Sequence, residues 1–242
     1  MNKDFILEFA AKAGKIPGVK MMFRPVFSLY KQNLINKRNK LFRKNAIEAL
    51  NMFHKALSDI NVNYTLAFGT MLGAVREGGF IKHDLDIDVA IWNEDYSPML
   101  NNILSKYGFR RTHVFNVENG TFGREETYEY KGVGIDIFYF YIDSLGNTYC
   151  CDFLAHKGCA TFNQSMKEYG SVIARKLILP LEKEVRSVNF EGIETYIPFN
   201  AEKILEFRYG PDYMIPNPSW SITSYDKHIT ILDDKIAKYL GD

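Results

Sequence analysis

The chain is poor in cysteine, with three in 242 residues. An odd and small number argues against a disulfide framework. It has no run of about 18 apolar residues, so no membrane-spanning helix is expected. Its first residues hold no compact hydrophobic stretch followed by a cleavage site, so no signal peptide is expected either. These absences point to a cytoplasmic protein. Internal repeats and low-complexity segments are absent, and no stretch matches a nucleic-acid recognition motif, so nucleic acid is not an expected partner. Net charge is only +1, which removes a strongly basic or acidic partner surface as a global feature.

That charge is unevenly spread. Residues 1–44 hold eleven basic residues against Asp4 and Glu8, an excess of nine, so the remainder is net negative by eight. Phe5, Ile6, Phe9, Met21, Phe23 and Leu29 are interspersed among those charges. Two readings stand open for the stretch 1–36. It is a peripheral contact with an anionic membrane face, or an extension packing on its own domain or on a second subunit of a homo-oligomer. The expected layout is a basic extension over 1–38, a catalytic domain over 39–218 and a C-terminal helix over 219–242. Hydrophobic content of 46% is ample for the core of one such domain.

Leu50, Phe53, Leu57 and Ile60 recur at helical spacing, which predicts a helix over 39–60. A short strand over 64–68, a turn at Gly69, and a helix over 71–76 capped by Thr70 follow. Gly78-Gly79 reverses the chain into a strand over 85–92. A helix over 95–107 ends at Gly108. Asn119-Gly120 marks a hairpin between strands 109–117 and 121–131. Residues 133–142 form a buried strand. A helix or turn is expected over 170–179, two short strands flank Glu191-Gly192, and Asn200 caps a helix ending near 208.

The informative stretch is 63–92. On a strand, Asp84, Asp86 and Asp88 share one face while Leu85, Ile87 and Val89 take the other. Three carboxylates so placed repel one another, and a divalent cation with a taste for hard oxygen ligands, Mg²⁺ or Mn²⁺ in its place, removes that repulsion. An EF-hand loop also begins Asp-x-Asp-x-Asp, but its sixth position must be Gly, and here it is Val89. The helix N-terminus at Gly69 and Thr70 offers N–H groups to a phosphate. Arg76 at the other end offers a forked contact. Asp136 stands alone in the apolar run VGIDIFYFYI, where a buried carboxylate needs a partner.

These residues resemble the LicD family, which includes the fukutin-related sugar phosphotransferases. The family pattern is Gly-Thr-Leu-Leu-Gly-Ala-Val-Arg, then Gly-Phe-Ile, then an acidic run. It stands here as Gly69 to Arg76, Gly79 to Ile81 and Asp84 to Asp88, with Leu85 in place of the middle acid and His83 where a Trp often stands. A weaker similarity continues through Pro180-Leu181-Glu182 and Tyr209-Gly210-Pro211-Asp212-Tyr213-Met214. The resemblance implies an α+β, nucleotidyltransferase-like fold with a mixed sheet flanked by helices. It implies transfer of a phospho-alcohol (phosphocholine, phosphoethanolamine, glycerol- or ribitol-phosphate, or a phosphonate) from a CDP- or CMP-activated donor. The acceptor would be a hydroxyl of a cell-surface glycan or lipid-linked sugar, and CMP would be released. Asp86 and Asp88 would hold Mg²⁺, and Asp84 would complete the ligand set or orient it. Asp136 would bind a second Mg²⁺ or act as general base. Gly69, Thr70 and Arg76 would bind the donor's phosphates. His83 would touch donor or acceptor, or be structural. A nucleotidyltransferase that leaves its nucleotide on the acceptor, and an inactive binding protein of the same fold, are the alternatives. Trp92, Tyr128, Tyr139 and Trp220 are candidates for a choline pocket, against the simpler reading as core. Cys150, Cys151, His156 and Cys159 lie close enough to suggest zinc. Their spacing is not a paired pattern and adjacent strand residues point apart, so ordinary thiols are expected.

Overall fold

The computed structural model describes residues 19–217 and 228–241, with side chains from residue 29 onward except Lys31. It opens on α1 (Val19–Ser58), 40 residues without a glycine. The helix expected from 39 therefore begins twenty residues earlier, and the domain boundary expected at 38 falls inside an unbroken helix. Among its described side chains, those of the second half form the amphipathic part. Phe42, Ala46, Ala49, Leu50, Phe53 and Leu57 form a buried stripe, whereas Leu29, Tyr30 and Leu34 are exposed.

The chain continues through β1 (Thr65–Leu66), α2 (Phe68–Arg76), β2 (Asp86–Trp92), α3 (Leu100–Lys106), β3 (Arg110–Val117), β4 (Gly123–Tyr130), β5 (Val133–Ile142) and β6 (Thr148–Leu154). Then come α4 (Phe162–Tyr169), β7 (Ile173–Ile178), the hairpin β8 (Val185–Phe190) and β9 (Ile193–Pro198), α5 (Ala201–Tyr209), β10 (Ile229–Ile231) and β11 (Ala237–Gly241). Nine strands form one sheet, with β5 at its centre. β5 pairs with β2 in parallel and with β4 and β6 antiparallel. This is a mixed α+β architecture, as expected.

Alternation along β2 and β5 divides the sheet. Ile87, Val89, Ile91, Val133, Ile135 and Ile137 are fully buried on one face, in the core to which the buried stripe of α1 belongs. The other face carries Asp86, Asp88, Asp136 and Phe138, all partly accessible. One sheet thus separates a core from a site.

Three expected elements differ. The helix over 95–107 is a single 3₁₀ turn at Asn93–Asp95 followed by α3 from Leu100. Pro98 disfavours helical geometry at Ser97, whose Oγ instead accepts from the Met99 N–H at 3.3 Å. The helix or turn over 170–179 is the strand β7, held to β6 by the cross-strand fork of Arg175 on Asp152 (2.8 and 2.5 Å). The C-terminal helix is replaced by β10 and β11, because the otherwise unpaired edge of β3 takes Ala237 to Gly241 as a partner. β-branched Ile229, Thr230 and Ile231 suit the same state. Asn200 flanks α5, but its amide donates to the Pro180 carbonyl rather than capping the helix.

Candidate active site

The parallel register of β2 and β5 sets Asp88 directly opposite Asp136, and Asp86 opposite Gly134. Neighbouring strands lie about 4.8 Å apart, so the two carboxylates share one face at short range. Asp84 precedes the strand, and its Oδ2 accepts the Ile81 N–H at 2.7 Å. Burial drives all four carboxyls upward. Asp84 rises to about 7, burial leading, with the Asp86 charge adding and the Ile81 N–H opposing. Asp136 rises to about 6 by burial, restrained by its Thr127 hydrogen bond. Asp86 is also raised by burial, against the pull of Arg38. Asp88 is pushed well above the usual range by burial, then by Asp86 and Asp136.

α2 is built into this cluster. It begins at Phe68, so Thr70 is not its cap; it lies in the first turn, and its Oγ1 accepts the Asp88 backbone N–H at 2.9 Å. The Gly69 N–H donates to Asp88 Oδ2 at 3.1 Å. A Cβ placed on Gly69 would lie 3.4 Å from Asp88 Oδ2 and 3.9 Å from Asp84 Oδ1, so bare backbone keeps open the space between two carboxylates. Phe68 adopts φ 40°, a left-handed conformation that costs a non-glycine residue about 1 kcal/mol or more. Its ring packs edge-on against Phe138 at 4.7 Å. Gly73 is required differently: a Cβ there would come within 2.4 Å of the Gly79 carbonyl, so the helix and the reversing turn can touch only through glycine.

The other expected site residues divide. Arg76 directs Nε and Nη2 at Glu77 (3.1 and 2.7 Å), with its side chain 10% exposed, while its charge still opposes the rise of Asp84. His83 is exposed on the turn before β2. Tyr128 and Tyr139 are fully buried in the core, and Lys183 lies over the Trp92 ring at 5.2 Å. Trp220 lies outside the described residues. Cys150 and Cys151 are buried in β6, Cys159 is half-buried and approaches Glu168, and His156 stacks on Tyr169 while bonding Ser171.

Sequence reading missed several residues that the sheet brings to the acids. Thr127 is Asp136's cross-strand partner on β4 and donates to Asp136 Oδ1 at 2.6 Å. Because that hydroxyl has given its one proton to a carboxylate, His113 Nε2, at 3.0 Å, must donate to Thr127 Oγ1. Glu125, two residues earlier on the same face, is pushed well above the usual range by burial and by Asp136, Asp152 and Asp88. It lines a cavity of about 420 Å³ with Gly69, Asp88, Phe138, Arg208 and Tyr209. The available signal was the period of two in Glu125-Glu126-Thr127, which puts Glu125 and Thr127 together. Thr127→Val keeps the shape and removes the donor that favours ionised Asp136. The acid limb of the pH–rate profile is expected to move up by about one unit, with a rate loss of about tenfold below it. An unmoved limb would show that Asp136 does not govern the profile.

The donor set suits a hard divalent cation. Every candidate atom is a carboxylate oxygen, and the carboxyls are raised first by burial and then by one another's charge, both of which a bound cation offsets. Among the described residues no group of three acidic, histidine or cysteine side chains forms a ready cage. Magnesium sites commonly take one or two carboxylates and complete their octahedron with water and substrate phosphate, so the residues present fit that ion.

Known proteins resemble this chain over much of its length. Residues 61–200 match the family model described as LicD/FKTN/FKRP, nucleotidyltransferase domain. The Mus musculus ribitol-5-phosphate transferase FKTN is 29% identical over 182 residues, covering 74% of this chain and 35% of that protein. The Homo sapiens protein of the same name is 25% identical over 181 residues, with the same coverage. The Haemophilus influenzae lipopolysaccharide cholinephosphotransferase LicD is 33% identical over 73 residues, covering 30% of this chain and 26% of that protein. The chain thus spans about a third of the length of the fukutin relatives it matches. No helix among the described residues is long and apolar enough to cross a membrane. A matched segment that runs from the turn before β1 to the start of α5, and takes in Asp86, Asp88 and Asp136, makes this chain a member of the LicD/FKTN/FKRP nucleotidyltransferase-domain family.

Proposed function

We propose that this protein transfers a phospho-alcohol from a CDP-alcohol donor, or a phosphonate from a CMP-linked one, to a sugar hydroxyl of a glycan, with Mg²⁺ and with release of CMP. The observation that carries the reading is the placement of Asp88 opposite Asp136 across two parallel strands, with the first turn of α2 bonded to Asp88. Asp86 and Asp88 would hold the ion, and Asp84 would contribute from the turn before them. The ion, when bound, neutralises phosphate charge and polarises the phosphorus centre. Gly69 and Thr70 fix the Asp88 side chain and backbone, so its carboxylate needs no reorganisation. Thr127 occupies Asp136 Oδ1, which leaves Oδ2 to take the proton of the attacking hydroxyl. The names of the relatives, a ribitol-5-phosphate transferase and a cholinephosphotransferase, support the phospho-alcohol class.

The test is a panel of CDP-choline, CDP-ethanolamine, CDP-glycerol and CDP-ribitol with candidate sugar acceptors, in which free CMP is quantified. Acceptor-dependent CMP release with one donor, lost in Asp86→Ala and in chelator, is the expected result. A nucleotide-tagged acceptor would establish nucleotidyl transfer instead. Binding without turnover, equal in wild type and Asp86→Ala, would make the protein a non-catalytic binder.

A further inference from the structure

One of the cations that reach the acids comes from outside the segment that matches the family. Arg38 lies on α1, more than twenty residues before residue 61, and its Nη2 stands 3.6 Å from Asp86 Oδ2. Its backbone position is fixed. Asn39 Nδ2 and Arg43 Nη2 both donate to the Lys82 carbonyl (3.4 and 3.3 Å), and two residues further along Asn45 Nδ2 donates to the Lys131 carbonyl (2.8 Å). The helix is thus fastened to the turn that carries Asp84 and to the turn between β4 and β5. Arg38 draws down both Asp86 and Asp136, so its charge is felt on both strands of the site.

We propose that Arg38 is a donor-binding residue whose guanidinium exchanges Asp86 for the donor's diphosphate. The present contact is suited to exchange. Its partners are 53% and 44% exposed, and half-exposed pairs at this distance contribute little to stability. A divalent cation held by Asp86 makes Arg38 redundant there and repels it. The diphosphate that accompanies the cation brings negative charge to the same mouth, and phosphate oxygens match a planar guanidinium in pairs. Arg76, the residue sequence reading favours for this task, is committed to Glu77 and mostly covered. The proposal rests on the donor reading given above, and adds that the long basic helix is part of the catalytic machinery rather than an appendage.

The test uses the full chain, with Mn²⁺ as the metal and CDP as the diphosphate probe. Mn²⁺ binding is followed by electron paramagnetic resonance without nucleotide, and CDP binding by calorimetry at saturating Mn²⁺. Arg38→Ala is expected to weaken CDP by about tenfold or more, and Arg38→Lys by less. Mn²⁺ affinity without nucleotide should stay equal or tighten, because a competing cation is gone. Unchanged CDP affinity would overturn the proposal. So would a parallel fall in Mn²⁺ affinity, since Arg38 would then merely prop Asp86. Wild-type protein that took up Mn²⁺ but no CDP would overturn the donor reading itself, and that failure appears before any substitution is made.

Discussion

Replacing Asp88 by Asn is expected to cut turnover by about 10³-fold or more while raising the thermal stability of the protein in chelator. The two effects have one cause. Asp88 is half-buried beside Asp86 and Asp136, and both loss of solvent and those charges oppose its ionisation. The same residue is a candidate metal ligand held in place from α2, with Gly69 N–H on one carboxylate oxygen and Thr70 Oγ1 on its backbone N–H. Asn keeps the shape and can still accept from Gly69 through its amide oxygen. It removes one like charge from the cluster, a gain of about 1–2 kcal/mol near neutral pH by the usual scale of such repulsions. It also removes the charge that would hold the cation. Opposite signs for activity and stability are the mark of a functional carboxylate held at a folding cost. Activity within tenfold of wild type would sink the assignment. A drop in chelator stability would mean that Asp88 is structural. Differential scanning fluorimetry in chelator, alongside CMP release, reads both.

Alternation made the central part of the fold legible in the sequence. β5 is found over 133–142 as expected, and β3 and β4 meet at the Asn119-Gly120 turn, where Asn119 adopts φ 57°. Asp86 and Asp88 follow from the same period of two, and Asp136 from its isolation in an apolar run. What the sequence hid was settled by partners far along the chain. Ala237 to Gly241 look helical in isolation and become a strand because β3 offers an edge. Ile173 to Ile178 do so because β6 does. Arg76 ends its helix as expected, but Glu77 beside it takes the guanidinium, a pairing that depends on rotamer rather than on spacing. Arg38 reaches Asp86 across 48 positions, through a helix in which the first buried apolar side chain among the described residues is Phe42, so no local pattern joins it to the site. His113 and Thr127 needed the β3–β4 register, which shifts between Arg111 and His113 and cannot be counted from the hairpin turn.

Stability in chelator is expected to fall as pH rises from about 5 to about 8, and Mg²⁺ is expected to reverse that fall only at the upper end. Asp84 at about 7 and Asp136 at about 6 both lie above the ordinary carboxylate value, and Asp88 lies well above it. Between the unfolded value near 4 and these raised values, the folded chain binds more protons than the unfolded one. Stability therefore decreases with pH across that window, which is the reverse of the usual carboxylate behaviour. Asp143, held low by its hydrogen bond to Lys176, acts in the usual direction, but only below the ordinary carboxylate range. Access of solvent to the cluster moderates the loss, which should be about 3 kcal/mol between the two ends. At pH 5 protons occupy the oxygens that Mg²⁺ would use, so millimolar Mg²⁺ should barely move the melting temperature. At pH 8 the same Mg²⁺ should raise it by several degrees. Asp88→Asn should flatten both dependences. Chelator stability that is level or rising from pH 5 to 8, or an equal Mg²⁺ shift at both ends, would show that these aspartates are solvated independently and hold no ion in common.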